Sequence, residues 1–193
     1  MAFIAPEEHR DGELLLRCFQ PGDGEELNRA TTASYEHLRR FMSWPRPDTT
    51  VEESEGYVRE SRARWLLGED WRLGIWRGER LVGGSGFMLR GRPLEHGTGE
   101  IGMWIRVDEA GRGLGTRVLR AMVDWADADW PFQKLTWICD SRNLASARVA
   151  EKGGFQLEGR LREHAPDAAG ATRETTLLFG LLRSDPRPWR TGA

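Results

Sequence analysis

The sequence is poor in cysteine, and its two cysteines lie far apart. Cys18 and Cys139 each fall within an apolar run of the 193-residue chain. So few thiols exclude a scaffold held together by disulfides. The four histidines, His9, His37, His96 and His164, are scattered and form no zinc-ligand spacing with the cysteines. We therefore expect no metal site.

An excess of charge of one sign is also missing, and so is any long apolar run. Lys plus Arg number 28 against 30 Asp plus Glu, a net charge of -2, so there is no basic field to attract nucleic acid. Charged residues interrupt the first twelve positions, where a signal peptide is apolar, and no later stretch approaches the roughly 20 apolar residues of a membrane span. The sequence predicts a cytoplasmic protein with neither a nucleic-acid nor a membrane partner.

The length and composition are those of one globular domain. Hydrophobic residues make up 39% and charged residues 30% of the chain, which is long enough to bury a single core. No repeat or linker divides it. We predict one domain over residues 1–193, with a core from about 13 to 182 and a mobile tail over 183–193, where prolines recur.

The periodicity of apolar residues predicts the order of helices and strands. Strands are expected at 13–19, 71–76, 81–89, 100–107, 135–139, 155–162 and 175–182, and helices from about 25, from 51, over 114–128 and over 143–152. Three consecutive strands in mid-chain form a meander, a helix lies on either side of the strand at 135–139, and the last two strands follow one another. This order predicts a mixed α/β (α+β) fold around one sheet.

A glycine-rich segment from Gly111 to Thr116 lies where a strand gives way to a helix. Such a turn leaves backbone N–H groups unpaired and open to an anion, and the helix dipole and Arg112 add positive charge. A diphosphate fits such a site. The Gly-Lys-Ser/Thr ending of a phosphate-binding loop is missing, and the third glycine comes one residue too early for a dinucleotide fingerprint. A turn that binds no ligand is the alternative.

Three segments together resemble the GNAT superfamily of N-acetyltransferases, over about Leu14 to Leu182. The loop resembles its Arg/Gln-x-x-Gly-x-Gly/Ala motif, with Ala110 in place of the usual Arg or Gln, followed by Gly113 and Gly115. Residues 100–105 resemble the preceding strand of the RimJ/RimL branch, which acetylates ribosomal-protein N-termini. Residues 141–155, continued by 157–159, resemble that branch's Asn-x-x-Ser helix and Gly-Phe-x-x-Glu-Gly exit. The resemblance implies a single mixed, mainly antiparallel sheet flanked by helices.

The resemblance also implies a role for individual residues in binding acetyl-CoA as co-substrate. The diphosphate would lie on the loop, at Arg112, Gly113, Leu114, Gly115 and Thr116. The pantetheine arm would contact Asn143 and the backbone of Ile105, Arg106 and Val107, splayed from the neighbouring strand.

Two residues are the candidate catalytic groups. Glu100 would take the proton of the ammonium group, and Ser146 would stabilise or protonate the leaving thiolate. The structural alternatives are that Glu100 pairs with an arginine such as Arg77 or Arg90, and that Asn143 and Ser146 only cap a helix.

Aromatic residues are unevenly supplied. Only two tyrosines occur, both before the meander, so the tyrosine that many relatives place at the thioester sulfur is missing, and Phe179 stands where some relatives have it. Nine tryptophans are present. Trp44 and Trp104 are candidates for walls of the acceptor site, with ordinary core packing as the alternative.

The implied acceptor is a primary amine, either a protein N-terminus or a small molecule. An α-amino group of pKa about 8 is about one-tenth neutral at pH 7, far more than a lysine of pKa about 10.4, so it needs less help from a base. The alternatives are a non-catalytic protein that binds acyl-CoA, a transferase for another acyl group such as succinyl, and an interaction module with a tryptophan-rich surface. Either a monomer or a homodimer fits the sequence.

Overall fold

The computed structural model describes residues 3–190, which form one eight-stranded sheet with helices on both faces. The strands are β1 (Glu8–Asp11), β2 (Leu14–Cys18), β3 (Asp70–Arg77), β4 (Arg80–Met88), β5 (Thr98–Ile105), β6 (Lys134–Asp140), β7 (Gln156–Pro166) and β8 (Arg173–Leu182). The helices are α1 (Gly24–Ala33), α2 (Tyr35–Leu38), α3 (Val51–Leu67), α4 (Leu114–Asp129) and α5 (Leu144–Lys152).

The sheet is mixed but mainly antiparallel, as expected. Its order is β1-β2-β3-β4-β5-β6-β8-β7, and the β5–β6 pair alone is parallel within the described part of the chain. The predicted fold class is therefore confirmed. A parallel pair in the middle requires a crossover, and α4 supplies it.

Two local features differ from the prediction. Strand β1 was not expected, because its four residues are Glu, His, Arg and Asp and carry no apolar alternation. It forms by pairing with β2 across the turn at Gly12, whose φ is 58°. The predicted first helix is also broken at Ser34, which separates α1 from α2 and whose hydroxyl donates to the carbonyl of Ala30 at 2.8 Å.

The core lies mainly between the sheet and α4. The inner face of α4 places Val118, Met122 and Trp125 against the sheet, all fully buried. A smaller cluster on the opposite face packs α1 and α3 over β3 and β4. Six of the nine tryptophans are buried in these two layers: Trp65, Trp71, Trp76, Trp125, Trp130 and Trp137. Core packing therefore explains the presence of these six tryptophans.

The segment after β8 is packed against α4, whereas the sequence predicts a mobile tail. We call residues 183–190 the C-terminal strap. Within it, the guanidinium of Arg187 is buried and binds the carboxylate of Asp127 through Nε at 2.9 Å and Nη2 at 3.1 Å. The indole Nε1 of Trp189 donates to Asp124 at 3.1 Å. The proline-containing segment therefore packs along α4. Residues 191–193 lie outside the described part of the chain.

Breaking the Arg187–Asp127 pair should destabilise the protein. Asp127→Asn leaves a buried guanidinium without its anion, which should cost about 2 kcal/mol of unfolding free energy. Thermal denaturation monitored by circular dichroism should show a lower midpoint. Asp129→Asn, an exposed carboxylate at the same end of α4, is the control and should change stability by less than about 0.5 kcal/mol. Equal effects would contradict a structural role for the strap.

Candidate active site

The two parallel strands in mid-sheet separate after a short paired stretch. Register pairs join Thr98 to Lys134, Gly99 to Leu135 and Glu100 to Thr136, and no pair follows. Both strands nevertheless continue, β5 to Ile105 and β6 to Asp140. We call the gap between these unpaired halves the wedge. The splay expected near Ile105 is thus present in the backbone.

The amide of Ile105 faces the wedge. Successive N–H groups of a strand alternate between its two edges. The amide of Arg106 donates to the carbonyl of Val82 on the β4 side at 2.9 Å. The preceding amide, that of Ile105, therefore points to the opposite side, where β6 has moved away.

Arg106 and Val107 differ from the prediction of backbone contacts to a ligand. The Arg106 amide is bonded to β4, as described, and the Val107 amide donates to the hydroxyl of Ser34 at 3.1 Å. The Arg106 side chain turns away toward Glu26, with an N–O distance of 3.6 Å. The chain bends toward α1 directly after β5, so of these three residues Ile105 alone keeps an amide directed into the wedge.

The glycine-rich loop has the geometry of an anion site. Gly111 and Gly113 have φ values of 76° and 85°, a left-handed backbone that glycine adopts without strain. A Cβ atom on either glycine would meet no atom within 4 Å, so the space next to the loop is open. The amide of Arg117 makes the first bond of α4, to the carbonyl of Gly113. The amides of residues 114–116 therefore have no partner within the helix.

Two side chains, those of Arg112 and Thr116, lie beside the unpaired amides of the glycine-rich loop. Arg112 is exposed and forms no ion pair with any residue of the described chain. Thr116 lies in the first turn of α4, half-buried. Arg112 and the α4 dipole together place positive charge at one end of the wedge.

The start of α5 lines the wedge from the β6 side. The side-chain oxygen of Asn143 accepts a hydrogen bond from the Ser146 amide at 3.1 Å, so Asn143 does cap the helix. The Ser146 hydroxyl accepts from the indole of Trp137 at 3.0 Å. The Ser146 hydroxyl also hydrogen-bonds the thiol of Cys139. Burial raises the pKa of this thiol, and the hydrogen bond from Ser146 lowers it to a lesser degree.

Glu100 lies where the wedge begins, with its side chain on the sheet face opposite α5. It is 6% exposed and pairs with Arg90, whose Nε and Nη2 both donate to Oε1 at 3.0 and 2.6 Å. The arginine pairing expected as the alternative is therefore present. Arg77, the other arginine considered, pairs with Glu109 instead. No hydrogen bond reaches Oε2 of Glu100 from the residues described.

Trp44 and Trp104 contact each other on the same face as Glu100. Their ring centroids are 6.1 Å apart at an interplanar angle of 60°. Trp104 lies flat over β4 because Gly84 has no side chain there: a Cβ would come within 2.4 Å of the indole nitrogen. Trp44 is half exposed, so the pair forms an aromatic wall beside the wedge.

Sequence reasoning missed a pair of carboxyl groups at the far end of β6, one buried and one half-buried. Asp140 is buried and bonded to Arg142, and these hydrogen bonds outweigh burial and lower the pKa of Asp140. Glu174 of β8 faces it, and both burial and the Asp140 charge raise the pKa of Glu174. The sequence could have indicated Asp140, because it lies at the turn that follows β6. It could not have indicated Glu174, whose position opposite Asp140 depends on the register between β6 and β8.

The family of the chain follows from comparison with known proteins. The acetyltransferase (GNAT) domain matches residues 13–156, so the chain belongs to this family of acetyltransferases, as the resemblance indicated. The probable N-acetyltransferase YjcK of Bacillus subtilis (strain 168) is 31% identical over 155 residues, 78% of this chain and 84% of that protein. A ribosomal-protein-serine acetyltransferase of Escherichia coli (strain K12) is 26% identical over 126 residues, 65% of this chain and 69% of that protein.

Solved structures share the fold. The microcin C7 self immunity acetyltransferase MccE, in complex with acetyl-CoA and AMP, has a TM-score of 0.83 at 19% identity, covering 93% of this chain and 98% of that one. RimL, an α-N-protein acetyltransferase in complex with coenzyme A, has a TM-score of 0.82 at 19% identity, covering 91% and 98%.

Residues 3–190 contain neither a membrane-spanning helix nor a candidate metal site. None of their helices is both long and apolar enough to cross a bilayer. No three His, Cys, Asp or Glu side chains within that range are grouped so as to hold a metal ion.

The carboxyl pair should make stability depend on pH. The pKa of Glu174 is higher in the folded than in the unfolded chain, so its contribution to stability falls as pH rises through the folded value. Glu174→Gln removes the titrating group, so the variant does not lose stability as pH rises, and its side-chain N–H can still donate to Asp140. Urea unfolding between pH 4.5 and 8 should show the variant gaining stability relative to wild type as pH rises. Parallel curves would contradict the pairing.

Proposed function

We propose that this acetyltransferase transfers the acetyl group of acetyl-CoA to a primary amine, either a protein N-terminus or a small molecule. The observation that carries the proposal is the wedge between β5 and β6, which ends at a loop of unpaired amides. A long, flexible thioester with a diphosphate at one end fits this combination of a narrow slot and an anion site. The bound acetyl-CoA and coenzyme A named for MccE and RimL support it.

The loop and the wedge would bind different parts of acetyl-CoA. The diphosphate would accept hydrogen bonds from the amides of residues 114–116, with Arg112 beside it. The pantetheine amides would pair with β5 at Ile105, as an added strand pairs with a sheet edge. Asn143 would stand beside this arm at the start of α5.

Ser146 is suited to the departing thiolate. Its oxygen accepts a hydrogen bond from Trp137, and its hydroxyl hydrogen-bonds the thiol of Cys139, so the hydroxyl proton would turn from that thiol to the departing sulfur. When the amine nitrogen bonds to the carbonyl carbon, the carbon–sulfur bond breaks and sulfur takes up negative charge. A donated hydrogen bond stabilises that charge. This supports Ser146 in place of the missing tyrosine.

Glu100 is suited to accept the proton that the amine loses. Arg90 binds one carboxylate oxygen, which fixes the group, and leaves Oε2 directed elsewhere. A water molecule on Oε2 would carry the proton from an amine that approaches beside Trp44 and Trp104. An α-amino group of pKa about 8 needs only this modest assistance. The name of the Escherichia coli relative, a ribosomal-protein-serine acetyltransferase, supports a protein N-terminus as the acceptor.

Two observations favour a second candidate, a protein that binds acyl-CoA without catalysis. Ala110 lacks the side chain that would close over the diphosphate, and its amide donates to Val107 at 3.3 Å. Phe179 is fully buried and cannot donate a proton. A panel of peptides, aminoglycosides and polyamines with acetyl- and succinyl-CoA separates the two candidates. Turnover of any pair supports the enzyme, and a silent panel with tight binding supports the sensor.

Charge at Gly113 should decide whether the co-substrate binds. Gly113→Asp places a carboxylate in the diphosphate seat and should abolish binding. Gly113→Asn has the same size, tolerates the left-handed backbone equally and should bind more weakly than wild type but measurably. Thermal shift with acetyl-CoA at a hundredfold excess over Kd should report about 2.7 kcal/mol of stabilisation for wild type. Identical behaviour of the two variants would contradict an anion site.

Removing the proton acceptor should lower the rate without affecting acetyl-CoA binding. For Glu100→Gln we expect kcat to fall by about 10²-fold with KM for acetyl-CoA unchanged, since Gln cannot take a proton. The deficit should shrink at high pH, where more amine is already neutral. Glu95→Gln, an exposed glutamate before β5, serves as the control. An unchanged kcat and pH profile would assign the role to another group.

A further inference from the structure

Charged side chains hold the glycine-rich loop at both of its ends. Glu109 lies directly before Ala110, and Arg117 lies directly after Thr116. Glu109 is 7% exposed although it carries a charge, and a buried charge is costly unless it is paired. The partners of Glu109 therefore matter for the shape of the chain that enters the loop.

Glu109 is bound by the hairpin between β3 and β4. Arg77 is the last residue of β3 and Arg80 the first residue of β4. The Nη1 atom of Arg77 donates to both carboxylate oxygens at 3.1 Å, and Nη1 of Arg80 donates to Oε1 at 2.6 Å. Burial raises the pKa of Glu109, but the hydrogen bonds from Arg80 and Arg77 outweigh it, so this pKa is lowered. Glu109 is therefore an anion that is fixed to the hairpin.

Arg117, at the other end of the loop, is bound by the turn between β1 and β2. Its Nε donates to the carboxylate of Asp11 and its Nη1 to that of Glu13, both at 2.6 Å. Its Nη2 donates to the carbonyl of Asp11 at 2.7 Å and lies over Gly12, where a Cβ would come within 2.8 Å of it. The hydrogen bond from Arg117 lowers the pKa of Glu13. The first turn of α4 is thus fixed to the edge of the sheet.

Arg77 connects the two ends of the loop. Its Nε lies 4.0 Å from Oε1 of Glu13, the carboxylate that also binds Arg117. Charged groups therefore follow one another from the residue before the loop to the residue after it. We call this set the ion network; its members are Asp11, Glu13, Arg77, Arg80, Glu109 and Arg117. Each of its arginines already binds a carboxylate, so its effect on a bound anion is indirect, through the backbone of the loop.

The segment between the two ends has few restraints of its own. Gly111, Gly113 and Gly115 lie within it, and glycine loses more backbone freedom on ordering than any other residue. Ala110 has only a methyl group, which can form no side-chain hydrogen bond across the loop. The amides of residues 114–116 bind an anion together only when the loop keeps one shape. Ends that are fixed before the ligand arrives reduce the entropy lost on binding, so affinity rises.

We propose that the ion network positions the coenzyme-binding loop, with Glu109 and Arg117 as the positioning residues that hold its two ends. The proposal rests on the proposed function, because it takes acetyl-CoA as the molecule on the loop. It adds residues that need not touch acetyl-CoA and nevertheless set the affinity for it. A change in the network should loosen the loop and weaken binding, while the folded chain persists.

Isothermal titration calorimetry of the full chain with acetyl-CoA tests the proposal. Glu109→Gln keeps the size of the side chain and removes its charge, so the Kd for acetyl-CoA should rise about tenfold, the factor that corresponds to one charge-assisted hydrogen bond. Glu109→Asp keeps the charge and should restore the Kd to within about threefold of wild type. Without acetyl-CoA, amide hydrogen exchange of residues 110–116 should be faster in Glu109→Gln, and that of α3 should be unchanged.

Glu13→Gln is the second variant, because its carboxylate is exposed and its loss leaves the fold intact. Its Kd should rise about threefold, as for one partly exposed ion pair. It decides the question if Glu109→Gln does not fold. The controls are Glu79→Gln, an exposed glutamate of the same hairpin, and Asp127→Asn, which destabilises the C-terminal strap. Both should keep the wild-type Kd.

A wild-type Kd in the deciding variant overturns the proposal and leaves the proposed function intact. An equal loss of affinity in Asp127→Asn and Glu109→Gln also overturns it, because affinity would then follow stability rather than the ion network. Unchanged exchange of residues 110–116 in Glu109→Gln has the same consequence. Wild type that does not bind acetyl-CoA contradicts the proposed function and this proposal together.

Discussion

The separation of β5 from β6 is the constraint on which the site depends. Each strand keeps its other neighbour to the end: β5 pairs with β4 up to Ile105 and Gly83, and β6 pairs with β8 up to Asp140 and Thr176. The wedge is therefore held open by two continuous half-sheets rather than by a loop. Backbone groups along it lack partners, and unpaired backbone groups are costly when buried. A ligand that supplies amides and carbonyls relieves that cost.

The wedge also divides the work between the two faces of the sheet. On one face, the loop, α4 and the start of α5 present amides, Arg112 and Ser146. On the other face, Glu100 stands beside the aromatic pair of Trp44 and Trp104. The proposed thioester and amine thus approach from opposite sides and meet in the gap, which keeps the acidic proton acceptor away from the diphosphate. The charge of each face suits its own substrate.

The sequence pattern predicted those helices and turns whose formation depends on residues close together in the chain. Helix α4, the glycine-rich loop and the spacing of Asn143 and Ser146 depend on neighbours within a few residues, and the structure has helix and loop at those places. Contacts between distant segments left no such signal. Strand β1 exists only through its pairing with β2, and the strap is ordered because Arg187 meets Asp127, 60 residues away in sequence. Val107 bonds to Ser34, which no pattern around either residue indicates. The same limit hid Glu174, whose partner belongs to another strand.

Amide hydrogen exchange, measured by mass spectrometry with and without acetyl-CoA, tests the central claim most directly. If the wedge and loop receive the thioester, exchange should slow in the peptides that contain Met103 and Ile105 and in those covering residues 113–116. The peptides of α3, on the far side of the core, should exchange as before. Protection confined to other segments, or none at saturating acetyl-CoA, would contradict the account.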